Sequence, residues 1–146
     1  MTRHAPNSNR VSSANPTLPI RSNAQLVQDV ATRAEAWGTR QGLSTTGSVE
    51  GTLKHGYADR VLTRYQQMFG NRGLSTEVRY LNGQVWQPGM PLRGTIRLDV
   101  VEGPLNAPTS VFDYKFGGAT LSPGRVTQIR AGANLGPSVP VLEVKP

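Results

Sequence analysis

Apolar residues recur at helical spacing in the first half of the chain and at a period of two after Gly73. Leu26, Val27, Val30, Ala34 and Trp37 share one face of a helix predicted over residues 24–37. Ser22 or Asn23 caps it and Gly38 ends it. Gly, Thr and Ser fill a loop over 38–47. A second helix is predicted over 49–69, capped by Ser48, stopped by Gly70 and striped by Leu53, Tyr57, Val61, Tyr65 and Met68. Strands follow over 74–81, 94–101 and 110–116, with Asn82-Gly83 as a hairpin turn and Pro/Gly-rich loops at 87–93 and 103–108. Ser122-Pro123 opens a helix to Ala131, and residues 137–145 form a last strand. The order α, α, β, β, β, α, β predicts an α+β domain.

Residues 1–22 carry little that can be buried, so they read as a flexible arm or linker to a longer protein. The folded domain is expected over 23–146, with its core about 49–146. Hydrophobic residues make up 36% of the 146, enough for one core. With no cysteine, disulfide frames and thiolate zinc sites are excluded. His4 and His55 are too far apart to build a histidine metal site. No apolar run is long enough to span a membrane, and residues 1–15 lack a signal peptide's apolar stretch. Sixteen Lys and Arg against nine Asp and Glu give +7, which favours a polyanionic partner such as nucleic acid.

In so basic a chain, Asp113-Tyr114-Lys115 stands out. Strand positions i and i+2 share a face, so Asp113 and Lys115 project together, and a neighbouring strand can bring Asp99 beside them. Hard carboxylate oxygens suit Mg²⁺ or Mn²⁺, and a lysine beside a metal-bound water helps hold or activate it. Asp99 and Asp113 are therefore the candidate metal ligands and Lys115 a catalytic partner, equipment for phosphodiester hydrolysis. Glu77, in the strand before Asp99, competes for the place of a third carboxylate. Lys54, Arg93, Arg125 and Arg130 are candidate phosphate contacts. His55 reads as a structural hydrogen-bonding residue. A non-catalytic basic module that binds nucleic acid fits the same charge.

The element order, with Asp99 and Asp113-Tyr114-Lys115, resembles the PD-(D/E)xK nuclease superfamily over residues 49–146. Leu98 stands at the motif's variable proline. The resemblance implies an α-β-β-β-α-β core with a mixed four-stranded sheet flanked by helices, here with an extra N-terminal helix. It adds Glu50, as an acid from the first core helix, and Gln128, as a helix glutamine, to the candidate catalytic residues. The stretches Gly51-Thr52-Leu53-Lys54-His55, 97–104, 113–119 and 139–146 are similar to restriction-endonuclease-fold toxin domains of bacterial polymorphic toxins. That likeness implies an antibacterial nuclease using Mg²⁺ or Mn²⁺. DNA is its leading substrate and RNA, such as tRNA, the alternative. It also implies delivery by a secretion system into a rival's cytoplasm, and a cognate, acidic immunity protein that blocks the toxin in the producer.

Overall fold

A computed structural model describes residues 21–43 and 47–146. All but the end of the arm expected over 1–22 lies outside the described residues. Helix α1 spans Asn23–Arg40 and begins with a reciprocal cap: the Ser22 hydroxyl accepts from Gln25 N, and Ser22 N donates to the Gln25 side chain. It runs through Gly38, the expected stop. A Cβ there would lie 2.6 Å from Lys54 Cε, so this glycine makes room for the Lys54 side chain of the next helix. Helix α2 spans Ser48–Phe69; its cap is Gly47 rather than Ser48, and Gly70 ends it as expected.

Five strands follow, one more than expected: β1 (Leu74–Leu81), β2 (Gln84–Val85), β3 (Thr95–Glu102), β4 (Ser110–Tyr114) and β5 (Val141–Val144). The extra one, β2, is the short return of the hairpin at Asn82-Gly83, whose φ values of +49° and +85° match a primed turn. Helix α3, Pro123–Gly132, connects β4 to β5. The sheet order is β2-β1-β3-β4-β5, antiparallel except for the parallel β4–β5 pair. The coarse expectation of an α+β domain with a mixed sheet holds. No helix among the described residues is long and apolar enough to cross a membrane.

The sheet separates two cores. On one side, Leu26, Val27 and Val30 of α1 and Ala58 and Leu62 of α2 pack on Leu74, Val100, Phe112 and Tyr114. On the other, Ile129 and Ala133 cover Val78, Tyr80, Leu98 and Val111. The inward line of α2 differs from the predicted stripe. Leu53 and Met68 are exposed, while Lys54, Ala58 and Leu62 are buried. Lys54 is tolerated inside because its ammonium lies 2.6 Å from Glu35 of α1.

One irregularity positions the site. Leu98 and Val100 should share a face, yet they join opposite cores. The alternation breaks at Asp99. It breaks again across the ladder at Glu77, which has φ +52° although register on either side is unchanged.

Candidate active site

Register brings the two predicted aspartates together. Val100 pairs with Phe112, so the next residues outward, Asp99 and Asp113, stand opposite each other at the end of the β3–β4 ladder. The strands part there, and the Asp99 carboxylate takes the place of a backbone acceptor. Its Oδ2 receives the Tyr114 amide at 2.8 Å. Glu77 lies opposite Asp99 on β1, and Glu143 pairs with Asp113 on β5. Four acids thus form one row across the sheet.

Asp113 is 2% exposed, and its Oδ2 is 2.6 Å from Lys115 Nζ without hydrogen-bond geometry. Burial raises its pKa above the usual carboxyl range, and the Asp99 charge adds to that; Lys115 and Arg125 oppose it. On α2, His55 Nδ1 is 2.8 Å from the Gly51 carbonyl, which can only accept, so that nitrogen carries a proton. Nε2 lies 3.3 Å from Asp99 Oδ2. Burial lowers the imidazole pKa, but the Asp99 carboxylate and nearby carbonyls outweigh it, and the net shift is upward.

These groups line a cleft of about 490 Å³. Its walls carry Arg79, Arg97 and Arg125 as well as Lys115. Arg79 and Arg97 are direct cross-strand partners, an arrangement that costs stability for like charges. Arg79 donates to Thr95 Oγ1, Arg97 Nε lies 2.8 Å from Glu77, and Arg125 donates to the Arg97 carbonyl. The cleft therefore sets several fixed cations around two acids.

Not every predicted residue arrives. Glu77 reaches the edge of the site but is turned to Arg97; burial raises its pKa, Arg97 lowers it, and Asp99 and Asp59 raise it further. Glu50 folds back over Gly47, where its Oε1 would strike an added Cβ, and does not line the cleft. Gln128 is exposed on α3 outside the cleft. Of the four candidate phosphate contacts, only Arg125 lies in the cleft. Lys54 is buried against Glu35, Arg93 is exposed in the loop before β3, and Arg130 holds the carbonyls of Gly136 and Val139. Arg79, Arg97 and Thr52 were not among the expected contacts. Arg97-x-Asp99 repeats the spacing of Asp113-x-Lys115, and that was the available signal. No known protein family, curated protein or solved structure matches this chain.

Among the described residues, no three His, Asp or Glu side chains converge as a ready-made metal cage. A hard divalent cation that keeps several waters needs only one or two carboxylates from the protein. Asp113 Oδ2, buried beside the Lys115 ammonium without hydrogen-bond geometry, suits such a cation together with Asp99.

Proposed function

We propose that this cleft hydrolyses phosphodiester bonds of nucleic acid with the help of Mg²⁺ or Mn²⁺, and that the chain is an antibacterial toxin restrained by an acidic immunity protein. The observation that carries the proposal is the opposed pair Asp99 and Asp113 inside an otherwise cationic cleft. Paired arginines at Arg79 and Arg97 make sense if an anion resides between them. Asp99 and Asp113 would hold the metal, which when bound polarises a phosphate and acidifies a water.

The chain's own groups supply the rest. Lys115, beside Asp113, donates toward the attacking water and offsets charge that develops on the phosphate. Arg97 and Arg125 bind and orient the phosphate. His55 fixes the Asp99 carboxylate from the α2 side, while the Tyr114 amide fixes it from β4. The toxin role rests on the sequence resemblance, and the +7 charge supports an acidic partner that associates fast.

The test incubates the protein separately with plasmid DNA and total RNA, with Mg²⁺ and with EDTA. Cleavage of at least one, lost in EDTA and in Asp113→Ala, is the expected result. Cleavage unchanged in EDTA would remove the metal role. Binding of both nucleic acids without cleavage of either would leave a non-catalytic module.

A further inference from the structure

The cleft does not end at Lys115. Beyond that lysine lies a second hollow of about 440 Å³, lined by Glu35, Lys115, Gly117, Gly118, Lys145 and Pro146. Its floor is a tight turn closed by the Ala119 amide on the Phe116 carbonyl at 3.2 Å. Gly117 and Gly118 have φ +64° and +80°, a left-handed pair that side chains disfavour. Among the described residues, neither glycine amide donates to a backbone carbonyl, and a Cβ on Gly118 would meet nothing within 4 Å. The turn is therefore open to a ligand and offers two N–H donors.

The lining of the hollow sets two lysines against one acidic side chain. Lys145 follows β5, and its ion pair with Glu143 is loose, at 4.0 Å. Glu35 is the acid in the lining, and the buried Lys54 ammonium at 2.6 Å takes up its charge. Two lysines and two glycine amides that donate to no backbone carbonyl suit a phosphate group.

Position across the sheet gives the hollow its meaning. Arg79 lies on β1, Arg97 and Asp99 on β3, Asp113 and Lys115 at β4, and Lys145 just past β5. Cations thus flank the acid pair on both sides, over a span of three strand spacings, about 14 Å. We propose that Lys115, the Gly117-Gly118 turn and Lys145 form a second phosphate subsite. A substrate that fills both sides has phosphates before and after the bond at the acids, so it is cut internally. This deepens the nuclease reading and rests on it for the cleavage step, though not for anion binding.

Two measurements separate those parts. Inorganic pyrophosphate titrated into the ¹⁵N-labelled protein should shift the Gly117 and Gly118 amide resonances saturably, with affinity reduced about five-fold or more in Lys145→Ala. Shifts that never saturate, or that are the same in the variant, overturn the subsite. Circular single-stranded DNA and circular RNA, offered with Mg²⁺, test internal cutting, and one of them should be opened. Trimming of linear strands with both circles intact overturns a substrate spanning both sides. Saturable glycine shifts with no cleavage of any nucleic acid would uphold the anion subsite and reject the nuclease reading.

Discussion

Burial disfavours the charge that Asp113 must carry for the chemistry proposed here. Its folded pKa is raised, so the protonated form fits the fold better. The stability from this group is present below the ordinary carboxyl pKa and lost as pH rises through the higher folded value. At neutral pH the uncharged isostere should therefore be the more stable residue. Asp113→Asn is expected to abolish cleavage while raising Tm by about 2–4 °C, read by thermal unfolding at pH 7. A lower Tm would mean that the contact with Lys115 outweighs burial. The arginines offer a second contrast. Arg125 faces the cleft, whereas Arg130 is spent on the Gly136 and Val139 carbonyls. Arg125→Ala should weaken nucleic-acid binding and reduce its salt slope by about one, at the smaller stability cost of its one bond to the Arg97 carbonyl. Arg130→Ala should leave the slope alone and cost about 1–2 kcal/mol of stability. Equal salt slopes in the two variants would contradict this division. Asp113 and Lys115 were legible because strand spacing alone aligns them, and Asp99 because its strand is the next one along the chain. Arg79 opposite Arg97 was not, because nothing in an arginine on a strand marks it until register sets it against another. Lys54 misled because a lysine at helical spacing reads as solvated until Glu35, on another helix, is brought to it.

At the scale of elements, α2 is tied to the sheet through His55, which spans from the Gly51 carbonyl to Asp99 on β3. The imidazole's folded pKa is raised, so its contribution is fully present below the ordinary value of about 6.5 and is lost as pH rises through the folded one. Tm should fall by about 2–3 °C between roughly pH 6 and pH 8, and His55→Asn should flatten that slope. A wild-type slope that persists in the variant would assign it to another group. The same helix shows what pattern reading can and cannot reach. Its length and its glycine stop were legible from apolar period and composition. Its buried line was not, since Leu53 and Lys54 are neighbours and only packing against α1 decides which turns inward. Gly38 reads as a stop because glycine commonly ends helices, but in the fold it makes room for the Lys54 stem. The two-residue β2 is too short to show a period, and the break in alternation at Glu77 and Asp99 is a property of two strands together.

For the molecule as a whole, the question is whether α1 is an appendage. The nuclease resemblance begins only at residue 49, after this helix. Yet Leu26, Val27 and Val30 are each at most 2% exposed and share one core with the sheet strands that carry both aspartates. Burying three such side chains contributes roughly 5–9 kcal/mol, comparable to the whole stability of a domain this size. Helix α1 also supplies Glu35, the counterion that makes buried Lys54 tolerable, and Gln28, which donates to the Lys145 carbonyl beside the second hollow. A chain starting at Gly47 would expose that face of the sheet and take Glu35 away from the buried Lys54. It should lose cooperative unfolding and all cleavage, whereas a chain starting at Arg21 should melt in one transition. Circular dichroism melts of the two, run beside the cleavage assay, check this. A chain from Gly47 that still melted cooperatively and cut nucleic acid would show that the sheet, α2 and α3 suffice, and that α1 serves some purpose other than completing the core.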